Sequence, residues 1–363
     1  MKLKLLLITN KLNHNVGGRE QLCSLNRNIL EDICKSQFHL AEIEKSPPVF
    51  FFEKVAVFKG YIDGLNKDTV SRIIEEIRTN NINQVFIDGS NFGEIARALK
   101  GVAPKVKIYT FFHNVEAKFF WRSFRCAPSI HALSVFLANF LAEKKSIKHS
   151  DQIICLNERD SSLLEKWYGR GSNHVAPMSI ADKFVGEKSI NMASHRFVLF
   201  VGGDFYANIS GIQWYVDNVS DFVDMHTYIV GRGMEKFKAK LEINDKVRVI
   251  GEVNNLEQWY LNSYLVIAPI FDGSGMKTKV AEALMFGKKI IGTPEAFSGY
   301  ESIVSTAGVV CNNAQEFISA IENAGHLVTA NHDSALREVY QANYSYDAAK
   351  CRLENILKCS FPI

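Results

Sequence analysis

Short apolar runs alternate with stretches of helical periodicity from one end of this chain to the other, and no other feature constrains its fold as tightly. Runs that are apolar almost throughout belong to strands buried on both faces. Separated by helical segments, they describe a mostly parallel sheet covered by helices, an α/β architecture. In the first half the strand candidates are residues 4–9, 85–88, 107–112 and 152–156, with helical periodicity at 69–78 and 132–146. In the second half the strands are clearer, at 197–202, 227–231, 247–250, 265–269 and 289–292.

A chain of 363 residues has the length of about two such units, each able to bury its own core. The periodic pattern breaks at 178–195, where Pro177, a polar stretch and Gly186 precede the strand that starts at Phe197. Two doubly wound domains are therefore expected, over 1–180 and 181–342, with a last helix in 343–363. In such sheets ligands bind outside the carboxyl ends of the strands, and two units facing each other would place the active site in the cleft between them.

Composition narrows the partners. With 47% hydrophobic and 22% charged residues the chain reads as an ordinary globular protein, and a net charge of +3 is too small to make nucleic acid its main partner. The seven cysteines (Cys23, Cys34, Cys126, Cys155, Cys311, Cys351 and Cys359) show no CxxC pair and no metal-ligand spacing, the pattern of reduced thiols in a cytoplasmic protein. The N-terminal run up to Ile8 is short and leads into a polar glycine loop, so it reads as a buried first strand rather than a signal peptide. No stretch approaches the roughly 18 apolar residues of a membrane span.

The most informative segment runs from Ala268 to Thr293, APIFDGSGMKTKVAEALMFGKKIIGT. A strand ends at Pro269 and passes into Asp272-Gly273-Ser274-Gly275, and a helix is expected from about Met276 to Met285. Glycines let backbone approach a ligand closely, and the first amides of a helix are free to donate to an anion. Lys277 and Lys279 add positive charge at the same end, and Glu282 stands about two turns in, where a carboxylate can accept from ribose hydroxyls. The same residues also suit a plain strand–glycine–helix connection, with solvated lysines and Glu282 pairing with them at the surface.

This stretch resembles the donor-binding signature of the retaining GT-B glycosyltransferases of family 4, the glycosyl transferases group 1. That pattern is a glycine-rich loop, then K-x-x-E-A-L-x-x-G-K, then an apolar strand ending in Thr. Here it reads Lys279-Val280-Ala281-Glu282-Ala283-Leu284, Gly287-Lys288 and Ile290-Ile291-Gly292-Thr293. Phe200-Val201-Gly202-Gly203 with Asn208, Ile229-Val230-Gly231-Arg232-Gly233 and Val249-Ile250-Gly251-Glu252-Val253 resemble the strand ends around it. One departure stands out: many members carry a first glutamate eight positions before the second, and here that position is Ser274. The sugar contact that the family gives to that glutamate has no glutamate here, and the amides of Gly275, Met276 and Lys277 can take part of it.

The resemblance implies a GT-B fold of two Rossmann-like domains, an acceptor-side one first and a donor-binding one second, with the last helix packing back on the first. It implies transfer of a sugar with retention from a nucleoside-diphosphate sugar to a glycan or lipid-linked acceptor, in bacterial surface polysaccharide assembly. The donor is a co-substrate, so no cofactor is expected, and no carboxylate pair suggests a metal. Lys277, Lys279 and the loop of Gly273, Ser274, Gly275 and Met276 would hold the diphosphate, and Glu282 the ribose. Gly203, Tyr206, Arg232 and Val253 would line the donor site, with Phe205 the alternative to Tyr206. His113, at a strand end beside Asn114 and Glu116, resembles the family's active-site histidine and joins Lys277 and Glu282 as a catalytic candidate. Gly17 and Gly18, after Val16 and before Arg19, resemble the loop that approaches donor phosphates or acceptor from the opposite wall.

The run Lys118-Phe119-Phe120-Trp121-Arg122-Ser123-Phe124-Arg125 admits three readings: a nucleic-acid contact, a helix at the inner face of the cell membrane, or a buried aromatic face. Two other functions stay open on the same architecture, a nucleotide-sugar epimerase and a partner subunit without catalysis. A dehydrogenase is disfavoured, because no GxGxxG follows a predicted strand with an acidic residue about 20 positions on.

Overall fold

The computed structural model describes residues 3–12, 17–47, 51–186 and 196–358. Val16, Cys359 and part of the 178–195 break lie outside them. The chain divides into two compact units, one of Met1–Pro177 with Ala349–Ile363 and one of Met178–Ala348.

The first unit is built on six parallel strands: β1 (Leu5–Asn10), β2 (Phe38–Ile43), β3 (Gln84–Asp88), β4 (Lys107–Phe112), β5 (Gln152–Cys155) and β6 (His174–Val175), in spatial order β2-β1-β3-β4-β5-β6. Its helices are α1 (Gly18–Cys34), α2 (Phe51–Ala56), α3 (Lys67–Thr79), α4 (Gly93–Val102), α5 (Glu116–Cys126), α6 (Ile130–His149) and α7 (Glu158–Tyr168). Every residue of β1 and β3 is buried, as expected of strands covered on both faces. Leu6, Ile8, Val85, Ile87 and Ile108 join Ile73 and Ile77 of α3 and Ile95 and Leu99 of α4 in one apolar cluster. Polar side chains start the helices where the sequence turns: Asn66 accepts from Thr69 N, Ser129 from Ala132 N and Asn157 from Asp160 N.

The second unit repeats the plan with β7 (Phe197–Val201), β8 (His226–Val230), β9 (Val247–Gly251), β10 (Leu265–Ala268), β11 (Ile290–Gly292) and β12 (Gly308–Val310), ordered β12-β11-β10-β7-β8-β9. Helices α8 (Tyr206–Asn218), α9 (Lys238–Leu241), α10 (Leu256–Asn262), α11 (Thr278–Met285), α12 (Val304–Ala307), α13 (Ala314–Glu322), α14 (Ala324–Leu327) and α15 (Ser334–Asn343) connect them. Helix α8 lies so close to the sheet that a Cβ on Gly211 would sit 1.9 Å from Pro269 O. The last helix, α16 (Tyr346–Lys358), belongs to the first unit from Ala349 on, where Gln84 Nε2 donates to Leu357 O at 3.5 Å and Lys350 pairs with Asp32 at 2.9 Å.

The helix expected from Met276 begins at Thr278, because the backbone of Lys277 is still extended (φ −92°, ψ 118°). Met276 is thereby left in the loop, and Lys277 stands at the cap position.

Candidate functional site

In the second unit the chain leaves two neighbouring strands in opposite directions, β7 towards β8 and β9, and β10 towards β11 and β12. At such a switch point the connections part and a crevice opens at the carboxyl ends of the strands. The turn after β7 and the glycine loop after β10 both lie there. Backbone bonds fix the neighbouring strand ends: Asp204 N donates to Arg232 O at 3.0 Å, and Gly231 N donates to Gly251 O at 2.8 Å. Only glycine fits at 231, since its φ is 155° and a Cβ would lie 2.0 Å from Gly202 O.

Asn208, on the first turn of α8, joins the two sides. Its Nδ2 donates to Gly203 O at 3.0 Å, and its Oδ1 accepts from Lys279 Nζ at 2.9 Å. Lys279 is buried, with its ammonium 4.4 Å from the centre of the Phe200 ring. Burial pulls its pKa down to about 7, against the opposing pull of Glu282. Here the bland expectation of solvated lysines fails, because Lys279 projects into the switch point instead of into water.

Lys277 is half-buried and bent back over the loop. Its Nζ donates to Gly275 O and pairs with Glu295 Oε1, each at 2.9 Å. Gly273 and Gly275 carry the loop through φ values of 131° and 64°, which side chains rarely permit. Ser274 between them is half-buried, and Met276 is buried, its sulfur 3.3 Å from Met178 N. Among the described residues no side chain caps the N-terminus of α11. Glu282 does not pair with a lysine at the surface. Its Oε2 accepts from Tyr260 OH at 2.8 Å, and Tyr260 stacks on Phe286 with ring centres 4.9 Å apart. Burial raises the Glu282 carboxyl, and the Tyr260 hydrogen bond opposes the rise.

The fold thus links Gly203 with Lys279, and Gly275 with Lys277. Tyr206 opens α8 with an exposed ring 4.5 Å from that of Phe205. Arg232 is exposed after β8, and Val253 is half-buried after β9. Sequence reasoning missed Tyr260 and Glu295. Nothing local marks Tyr260, whereas Glu295 follows β11 by three residues and the rule that ligands gather at strand ends would have included it.

The first unit has its own switch point, between β1 and β3. Asp88 ends β3 and is wholly buried, and its Oδ1 lies 2.9 Å from His113 Nε2 and accepts from Asn26 Nδ2 at 3.2 Å. Cys23 Sγ lies 3.5 Å from the same His113 nitrogen. Burial would raise the Asp88 carboxyl, but His113 and hydrogen bonds from Cys23 and Asn26 hold it below its usual range. Thr9, Arg19, Glu20, Cys23 and Asp88 line a pocket at these strand ends. Asp88 Oδ2, His113 Nδ1 and Thr9 Oγ1 have no hydrogen-bond partner among the described residues.

Cys23, Asp88 and His113 also offer three metal-ligating atoms within 4.8 Å of one another. A metal on His113 Nε2 would leave the ring proton on Nδ1 buried without an acceptor, so the set suits a hydrogen-bonded cluster better. Gly17 is exposed at the cap position of α1, which no side chain caps among the described residues, and Gly18 opens that helix. Glu116, the first residue of α5, is buried 3.6 Å from Arg19 Nη1, and its amide donates to Glu143 Oε1 at 2.9 Å. Asn114 is half-buried in the turn between β4 and α5.

The basic aromatic run forms α5. Trp121 packs on Phe124 and Phe136 with ring centres 5.6 and 5.0 Å apart, so much of this face is internal packing. Trp121, Ile130, Leu133 and Leu137 nevertheless keep exposed apolar surface, with Arg125 exposed beside them. No helix among the described residues is long and apolar enough to cross a membrane.

Comparison with known proteins places these features. Residues 195–325 match the family model described as glycosyl transferases group 1. No curated protein sequence matches the chain. Among solved structures, sucrose-phosphate synthase from Thermosynechococcus elongatus is similar with a TM-score of 0.73 at 12% identity, over 98% of each chain. Anabaena HepE in complex with UDP gives 0.69 at 11% identity, over 98% of this chain and 100% of that one. The lipopolysaccharide outer core galactosyltransferase WaaB gives 0.68 at 11% identity, over 99% and 100%. At these identities the likeness establishes the fold, which is GT-B.

Proposed function

We propose that this chain is a glycosyltransferase that moves a hexosyl group from a nucleoside-diphosphate sugar to a glycan or lipid-linked acceptor. The observation that carries this reading is Lys279, buried at the β7/β10 switch point and joined through Asn208 to the Gly203 turn. A diphosphate seated there meets a buried ammonium, the glycine-loop amides and the uncapped N-terminus of α11. These groups stabilise the charge that gathers on the departing diphosphate, usually the largest catalytic contribution. Glu282, oriented by Tyr260, accepts from the ribose. The family match over 195–325 and the UDP bound by Anabaena HepE support a nucleotide-sugar donor.

The finer reading is retention at the anomeric carbon, without a resident metal or cofactor. His113 contacts the reacting sugar or acceptor, with Gly17 and Gly18 at the loop beside it. The setting is bacterial surface polysaccharide assembly, in the cytoplasm, with the apolar surface around Trp121 and Ile130 resting on the membrane. The role of WaaB in lipopolysaccharide is in keeping with that setting.

Incubating the protein with UDP-, GDP-, dTDP- and ADP-sugars and measuring release of the nucleoside diphosphate, with and without EDTA, tests the reading. Slow acceptor-independent release from one donor, unaffected by EDTA, is expected, and proton NMR of the released sugar reports its anomeric configuration. Tight nucleotide binding with no turnover of any donor would favour a partner subunit without catalysis, and a changed sugar on an intact nucleotide would favour an epimerase.

A further inference from the structure

The glycine loop and the start of α11 present mainly amides and an ammonium, which are hydrogen-bond donors; the loop's own carboxylate, Asp272, already accepts from Gly273 N at 2.6 Å. A hexosyl group offers hydroxyls that must themselves donate, and a site that reads them needs an acceptor. At position 274 the chain supplies a serine. A second carboxylate reaches this loop from elsewhere in the second unit: Glu295 Oε1 lies 2.9 Å from Lys277 Nζ, which also donates to Gly275 O at 2.9 Å.

The segment that carries Glu295 is fixed to both ends of the loop. Thr293 Oγ1 donates to Ile270 O on one side, and Tyr300 OH donates to Lys277 O at 3.0 Å on the other. Within the segment Ala296 N donates to Thr293 Oγ1 at 3.2 Å and Tyr300 N to Phe297 O at 2.8 Å. Thr293, Ala296, Phe297, Ser298 and Tyr300 are all buried, while Glu295 keeps part of its surface open. A held turn with one half-open carboxylate over a loop of donors is a built feature.

Resting on the reading of this loop as the diphosphate cradle, we propose that Glu295 is the residue that recognises the transferred sugar. Its carboxylate holds Lys277 bent back over Gly275. When a diphosphate draws off the ammonium, the carboxylate is left beside the leaving-group oxygen, where it accepts from hydroxyls of the sugar. Such a site rejects a sugar lacking the hydroxyl that it reads.

Calorimetric titration of the full chain with UDP, GDP, dTDP and ADP, and then with the sugar conjugates of whichever binds, tests this in the wild type, Glu295→Gln and Glu295→Ala. The expected result is at least a tenfold loss of affinity for the preferred conjugate in both variants, with affinity for the bare nucleoside diphosphate unchanged or raised. Because a misfolded variant would lose both ligands, the ratio of the two affinities is the readout. Equal losses for nucleotide and conjugate, or no change in either, would overturn the assignment. Absence of binding by the wild type to any of these ligands would remove the cradle itself, a distinct outcome that overturns both.

Discussion

Asn208 Oδ1 accepts from Lys279 Nζ at 2.9 Å, so a single amide holds a buried ammonium at the point where the sheet of the second unit reverses its direction of winding. The other end of the amide donates to Gly203 O, which couples the turn after β7 to the first turn of α11. Asn208→Leu keeps the bulk and removes both bonds. It is expected to cost about 1–3 kcal/mol in urea denaturation at pH 6, where Lys279 is mostly charged, and to weaken nucleotide binding in calorimetry. A variant as stable as the wild type would show that the pair is incidental.

The pH dependence follows from the same lysine. Burial sets its pKa at about 7, and a bound diphosphate favours the charged form. Binding above pH 7 therefore takes up a proton, and affinity falls as pH rises from 7 to 9, by up to about tenfold per unit. Titrations in buffers of different ionisation heat measure the uptake directly. Folding stability moves the other way. The unfolded chain, with its lysine at 10.5, binds more protons than the native one between pH 7 and 10.5, so stability rises across that window. Lys288, also lowered to about 7 by burial, adds to the same trend, so Lys279→Met should remove only part of it.

In the first unit, Asp88 and His113 form a buried pair with Cys23 and Asn26 around it. His113→Ala is expected to lower transfer by roughly 10²–10⁴ while nucleotide binding to the second unit stays within about threefold. Asp88→Asn should lower transfer as well, since the carboxylate that holds the imidazole in place is gone. Loss of nucleotide binding in either variant would contradict the separation of roles.

The exposed stripe of Ile130, Leu133 and Leu137 beside Trp121 suits an anionic bilayer. Ile130→Glu, at a residue 88% exposed, should change stability by no more than about 0.5 kcal/mol, as surface substitutions do, and sharply reduce co-sedimentation with phosphatidylglycerol vesicles. Equal sedimentation of variant and wild type would leave this face without a membrane role.

Both sheets were legible in the sequence wherever a strand carries an unbroken apolar run, as at residues 5–8 and in Phe197–Val201. β2 escaped notice because only Ala41 and Ile43 of its six residues are buried, which blurs the pattern. β6 and β12, of two and three residues, are too short to carry any period. Within the candidate site, the glycine loop, Lys279 and Glu282 are contiguous, and their spacing could be read directly. Their partners were not legible: Asn208 is 71 positions from Lys279, Tyr260 is 22 from Glu282 and Glu295 is 18 from Lys277. Those pairs exist only once the sheet has assembled. His113 was read from its place at a strand end, but its partners Cys23 and Asp88, 90 and 25 positions away, escaped for the same reason.

The most direct test of the donor site is a thermal-shift series of the purified chain against UDP, GDP, ADP, dTDP and CMP, repeated for Glu282→Ala and Tyr260→Phe. A ligand at 100 times its dissociation constant adds about 2.7 kcal/mol of stability. The prediction is stabilisation by one nucleoside diphosphate, lost in Glu282→Ala and reduced in Tyr260→Phe, which removes the hydroxyl 2.8 Å from the carboxylate. No stabilisation by any of these nucleotides, or the same stabilisation in all three proteins, would contradict the placement of the nucleotide at the β7/β10 switch point.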